Sequence, residues 1–138
     1  MLQAGLFFLL ALLALEGCAR PSAAPPVDVR AEAIDRRKDA LVRQLADCEA
    51  GAGEAPITGG GGRYIGRFQF MPATVIAYVR DRDGRLLGPS EAVALANDYR
   101  QAAELAKYVI FERDGISNWP ACSRKLGLAR QVAEIKAL

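Results

Sequence analysis

Histidine is absent from the 138 residues, and that absence removes whole classes of chemistry. A Ser-His-Asp triad, a Cys-His nucleophile pair and a histidine-containing zinc site are all excluded. Cysteine is scarce as well: Cys18, Cys48 and Cys122 are too few and too scattered for an all-cysteine metal centre. Charge of one sign is also missing. Eighteen basic residues stand against 16 acidic ones, a formal net charge of +2, with no Lys/Arg block and no basic patch interleaved with stacking aromatics. The charges read as a mixed, solvated surface, and no nucleic-acid partner is expected. Carboxylates, hydroxyls, amines and backbone dipoles remain for chemistry, and carboxylates are the natural acids and bases among them. No metal and no cofactor is expected.

A long hydrophobic run is lacking too. Ala4 to Leu15 is apolar almost throughout, yet shorter than the roughly 20 residues a spanning helix needs. Small residues follow it, as in the apolar stretch of a secretory signal, although no Lys or Arg precedes it; an uncleaved anchor helix is the alternative. Leu15-Glu16-Gly17-Cys18 resembles the lipobox of bacterial lipoproteins, which implies lipidation at Cys18 and a lipid anchor to the membrane. Ordinary signal cleavage after Ala19 is the rival. Residues 1–19 are accordingly assigned to a signal peptide, and the proline- and alanine-rich residues 20–28 to a tether that buries too little apolar surface to order itself. The expected location is outside the cytoplasm, in the periplasm or cell envelope.

Export changes the reading of the cysteines. With Cys18 lipidated or removed, Cys48 and Cys122 are left in an oxidising compartment and are expected to pair. Closing so long a loop contributes about 4 kcal/mol in the chain-entropy view. Two reduced, buried cysteines are the alternative.

Residues 29–138 read as one mainly α domain. From Val29 to Ala50, Ile34, Leu41, Val42, Leu45 and Cys48 fall near a 3.6-residue period, and Gly51 is a plausible stop. Glu49 then lies on the last turn, at the border of a buried face, where partial shelter keeps a glutamic acid protonated near neutral pH. The glycine-rich stretch 51–62 reads as a surface loop or as one wall of a cleft. Alternation from Tyr64 to Phe70 predicts a short strand or hairpin. Pro72 suits the first turn of a helix running toward Tyr78. After a turn at Asp81 to Gly84, Ser90 is expected to cap a helix beginning at Glu91. Asp98 and Gln101 have capping-box spacing, and Ala102, Leu105, Ala106, Val109 and Ile110 form one apolar stripe ended by Gly115. Short helices around 122–126 and up to Ala137 complete the domain.

Cys48-Glu49, the Tyr64 to Phe70 segment with its Gly-x-x-Gln-Phe pattern, Gln101-Ala102, and Trp119-Pro120-Ala121-Cys122-Ser123 resemble the resuscitation-promoting-factor branch of the lysozyme-like superfamily. Gln69-x-Met71-Pro72-x-Thr74 is also similar to soluble lytic transglycosylases. The resemblance covers about residues 40–127 and implies a small α+β lysozyme-like domain that cleaves peptidoglycan at the bond between N-acetylmuramic acid and N-acetylglucosamine, as a monomer. It implies Glu49 as the catalytic acid, Gln69 and Thr74 as hydrogen-bonding groups in the cleft, and Tyr64 and Trp119 as substrate contacts. Trp119 has a competing reading as core packing around the disulfide, and Met71 reads as a gap filler. A lytic transglycosylase needs one carboxylate, whereas a hydrolase normally uses a second one about 5 to 9.5 Å away. Glu54 is the nearest acid in sequence after Glu49 and reads as a solvent-facing loop residue, so the single-acid route is preferred. Val75 stands where that branch commonly has tryptophan, and Ala50 where serine often follows the acid. These two positions motivate the alternative of a glycan-binding or envelope-apparatus component without turnover.

Overall fold

The computed structural model describes residues 28–51 and 58–138; the signal and tether assignments, Cys18 and Glu54 lie outside them apart from Asp28. Asp28 belongs to the folded part and not to the tether. Its carboxylate accepts hydrogen bonds from the backbone N–H of Arg30 (3.0 Å) and Ala31 (3.2 Å), which satisfies two of the open donors at the start of a helix.

That helix, α1 (Val29–Ala50), buries Leu41, Val42, Leu45 and Ala46 along one stripe and stops at Gly51. Two two-residue strands follow, β1 (Thr58–Gly59) and β2 (Tyr64–Ile65), paired antiparallel, with a single further bridge from Ile65 to Phe70. So short a ladder has no stability of its own and takes its shape from the helices beneath it. The reversal between the strands runs through Gly60, Gly61 and Gly62, all at positive φ, a conformation that residues with a Cβ rarely adopt.

Helix α2 (Pro72–Asp83) starts with proline at its first turn, as expected, but runs past Tyr78 through the anticipated turn. Gly84 closes it in the left-handed conformation, its N–H donating to the Arg80 carbonyl. Helix α3 (Pro89–Asn97) begins two residues before Glu91, so Ser90 is not its cap. The Glu91 carboxylate instead accepts from the Gly88 N–H at 2.7 Å, and Pro89 presets the first turn. Helix α4 (Tyr99–Glu112) is capped by Asp98, which accepts from the Gln101 N–H at 2.9 Å and whose carboxyl is held below its ordinary range chiefly by that bond. It ends at Glu112; Gly115 opens a 3₁₀ turn (Gly115–Asn118), followed by α5 (Pro120–Leu126) and α6 (Leu128–Lys136).

The chain is therefore mainly α. Helix α4 is its centre: Ala102, Leu105, Ala106, Val109, Ile110 and Phe111 are buried, and the helix packs against α1, α2, α3 and α6. No buried polar or charged side chain occurs among the described residues, so the core is held by apolar burial. Lys107 stitches α4 to α1 at the rim. Its ammonium, 14% exposed, meets Asp39 (2.5 Å), Asp35 (3.2 Å) and Glu104 (3.3 Å). Burial pulls its pKa down, but the bonds to Asp39, Asp35 and Glu104 outweigh that and hold it above the ordinary lysine range.

Cys48 and Cys122 form a disulfide with a Cα–Cα distance of 5.9 Å, joining the last turn of α1 to α5. Among the described residues, no helix is long and apolar enough to cross a membrane.

Candidate active site

Glu49 continues the buried stripe of α1. Val42, Leu45 and Glu49 are spaced i, i+3, i+7, so the carboxyl occupies the position on the core-facing side where a further apolar residue would otherwise sit. It is half-buried, and desolvation raises its pKa above the ordinary value of 4.5. Among the described residues, no hydrogen bond or ion pair engages it. Asp47, two residues earlier, lies about 200° around the helix and is occupied on that other side by Arg67. Among the described residues Glu49 is thus an acid without a partner, partly sheltered from water.

Two fastenings hold its turn. The disulfide fixes Cys48, the preceding residue, to α5. Arg67 pairs with Asp47 and donates to the carbonyl of Gly51 at 3.4 Å, so the segment 66–70 abuts the end of α1.

That segment is a tight turn, with the Gln69 N–H donating to the Gly66 carbonyl at 3.1 Å. Gly66 has φ +70, and a Cβ there would lie 1.8 Å from the carbonyl oxygen of Ala96, so no larger residue fits. Gln69 itself is at φ 51, uncommon for a residue with a side chain and one of two such cases among the described residues. Its side-chain amide donates to the Gly66 carbonyl at 2.8 Å, and its Oε1 lies against Gly59. Gln69 is half-buried and braced between the turn and β1.

Tyr64 is 37% exposed, with its ring over Gly60. Thr74 is half-buried in the first turn of α2, its N–H bonded to the Met71 carbonyl at 2.9 Å. Trp119 is placed differently from a sugar-stacking residue. It is 3% exposed, its edge packs on Phe70 with ring centroids 5.4 Å apart, and its indole N–H donates to the Phe68 carbonyl at 2.7 Å. No ring face is open to a ligand, so its part is to hold the 66–70 turn from below. Met71 is 39% exposed and fills no gap.

Two residues in this neighbourhood escaped sequence reasoning. Arg67 carries no local signal, because its partners lie 16 and 20 residues away. Tyr99 stacks on Phe68 with centroids 6.0 Å apart and lies 5.6 Å from the Arg67 guanidinium. It follows a capping residue, and nothing in the pattern marks it as part of the site.

The structure therefore brings the turn of Glu49, the Gln69 turn and the Trp119–Cys122 segment together, while a separate concavity of about 240 Å³ between α4 and α6 holds Ile110, Ile116 and Val132 and no acid free for chemistry. A half-buried carboxylic acid with a raised pKa can deliver a proton to a leaving oxygen and take one back. No protein-family model, no curated protein and no solved structure matches this chain.

Proposed function

We propose that the protein is a peptidoglycan-cleaving enzyme acting on the bond between N-acetylmuramic acid and N-acetylglucosamine, with Glu49 as its one catalytic carboxyl. The observation that carries this reading is Glu49 itself: half-buried, raised in pKa by desolvation, and carried on a helix end that the neighbouring disulfide ties to α5 and Arg67 ties to the Gln69 segment. Protonated Glu49 gives its proton to the glycosidic oxygen as the bond from that oxygen to the muramic acid C1 breaks. The 6-hydroxyl of the same sugar then forms the new bond to C1, and its proton returns to the Glu49 carboxylate. The product is a 1,6-anhydro sugar, no water is consumed, and the enzyme ends as it began. Gln69 and Thr74 orient sugar hydroxyls or acetamido groups, and Tyr64 offers a flat apolar face.

The proposal includes an α+β lysozyme-like form of the fold with a short β-hairpin around Tyr64 to Phe70, export to the periplasm or envelope, lipidation at Cys18, a monomeric state, and no cofactor or nucleic acid. Purified peptidoglycan incubated with the wild type should release anhydro-muropeptides detectable by mass spectrometry. Glu49→Gln should release none while melting at a similar temperature. Undiminished release by that variant would remove Glu49 from the chemistry, and reducing-end products would make the protein a hydrolase.

A second reading is glycan binding without turnover. It is favoured by the commitment of the Gln69 amide to Gly66 and by the burial of Trp119. Co-sedimentation with cell walls without released fragments would select it.

A further inference from the structure

We infer that Arg67 is a positioning residue: reaching from the turn that carries Gln69, it holds α1 at Asp47 and Gly51, on either side of Glu49, and so sets the spacing between the acid and that turn. The inference rests on the reading of Glu49 as the catalytic acid, and it adds a residue that touches none of the reacting atoms.

The Gly66–Gln69 turn is fixed on every side except toward α1. Gly66 is pressed against the Ala96 carbonyl, Phe68 is fully buried, the Phe68 carbonyl accepts from Trp119, and Gln69 closes back on Gly66. Arg67 is the arm that leaves this rigid base. Its terminal nitrogen pairs with Asp47 and donates to the Gly51 carbonyl, while the guanidinium lies over Tyr99, itself stacked on Phe68. Gly51 ends α1 at φ 70, so its carbonyl has no partner within the helix. Both contacts come from one terminal nitrogen of a guanidinium seated over Tyr99, and that seat fixes the direction of the arm as well as its reach; a lysine ammonium has no planar face to seat in the same way.

A bond made only for stability is a weak account of this arrangement. The Asp47 side chain is 54% exposed, and exposed ion pairs add little to stability. Arg67 also keeps a buried Nε without a hydrogen-bond partner, which is unfavourable. What the contact does achieve is registry: residues 47 and 51 bracket Glu49, and residue 67 is two positions from Gln69. The disulfide ties Cys48 to α5 and reaches the Gln69 turn only at one remove, through the Trp119 bond to Phe68, whereas Arg67 joins the turn to α1 directly.

The test compares the disulfide-intact wild type with Arg67→Met, Arg67→Lys and Asp47→Asn, the last leaving Arg67 stacked on Tyr99 should Arg67→Met fold poorly. On soluble peptidoglycan strands of defined length, Arg67→Met and Asp47→Asn should lower kcat by about tenfold to a hundredfold with KM within about twofold, as misplacement of a reacting group by an ångström does. Arg67→Lys, which keeps the pair with Asp47, should recover part of that loss. Amide hydrogen exchange at Ala50 and Gly51 should accelerate in both weakened variants and not at Ala102 or Leu105 in the core of α4. An active wild type whose kcat is unchanged in folded Asp47→Asn and Arg67→Met overturns the inference. A wild type that releases no product overturns the peptidoglycan reading instead, and the exchange comparison then decides alone: equal exchange at Ala50 and Gly51 in all four proteins overturns the role of Arg67.

Discussion

Removing the Cys48–Cys122 disulfide is the perturbation with the largest expected effect on the fold. The bridge closes a loop of 74 residues. In the chain-entropy model, that loop restricts the unfolded ensemble by about 15 cal/mol/K, or about 4.4 kcal/mol at room temperature. A folded unit of about 110 residues unfolds with an entropy of about 230 cal/mol/K, so the same free energy corresponds to a melting temperature lower by about 19 °C. Cys48→Ser/Cys122→Ser, or the wild type in a phosphine reductant, should show this loss by far-ultraviolet circular dichroism. Cys122 is buried and Cys48 half-buried, so serine adds a small desolvation cost and the drop should not be smaller than the entropic figure. Product release should fall further than the folded fraction does, because the last turn of α1 carries both Cys48 and Glu49. A melting shift under about 5 °C, well short of the entropic expectation, would refute the reasoning. So would free-thiol titration that finds both cysteines reactive in the untreated protein.

Three further outcomes follow from specific contacts. Glu49 has a pKa raised by burial, so its ionised form is disfavoured by the fold; the penalty is absent below the ordinary carboxyl range, grows between the ordinary and the raised pKa, and is constant above the raised one. Glu49→Gln should therefore melt at or above the wild-type temperature at pH 7, and the gap should close at pH 3.5 in thermal scans, while wild-type product release should decline on the alkaline side as the proton is lost. Gly66→Ala should destabilise by about 3 kcal/mol or more in urea unfolding, from left-handed strain plus the clash with the Ala96 carbonyl, whereas Gly127→Ala, also left-handed but facing open space, should cost only about 1 kcal/mol. Lys107→Met leaves Asp35, Asp39 and Glu104 facing one another without their cation; stability should fall by about 1 kcal/mol, and added salt should narrow the gap as it screens the carboxylates.

Features encoded in neighbouring residues were legible before any coordinates. The extent of α1 follows from the spacing of Leu41, Val42 and Leu45 and from Gly51, and the cap at Asp98 follows from its distance to Gln101. The cysteine pairing was legible by a different route, through the expected fate of Cys18. Errors arose where one residue type serves two roles. Gly84 was read as part of a turn replacing the helix, but a left-handed glycine equally ends a helix that has continued to Asp83. Ser90 suggests a cap because serine has an oxygen to offer; Pro89 and the backward reach of Glu91 to the Gly88 N–H decide the start instead. Trp119 shows the same ambiguity in the site: an aromatic beside proline and cysteine suits a sugar face or a core, and only the bond to Phe68 and the contact with Phe70 choose between them. Arg67 was invisible, since an ion pair across 20 residues has no periodicity.

The position of the acid on its helix adds a physical reason, beyond burial, for a raised pKa. Glu49 stands on the last turn of α1, where the aligned peptide dipoles sum to a partial negative charge, and no basic residue occupies that turn to offset it. A carboxylate is disfavoured there for the same reason that an arginine or lysine is favoured. Desolvation and dipole thus act in one direction on Glu49. Arg67 answers the open carbonyl at Gly51 and the charge of Asp47 from the far side of the helix, leaving the side that carries Glu49 uncompensated. Introducing a cation in the last turn tests the account. Ala50→Arg, one residue on, should lower the pKa of Glu49 toward its ordinary value in a carbon-13 titration of the side-chain carboxyl. The alkaline limit of product release should move to lower pH with it, whereas the same substitution at Arg43's neighbour Gln44, exposed and more than a turn back, should move neither. Equal titration of Glu49 in both variants would mean that the helix end contributes nothing and that burial alone raises its pKa.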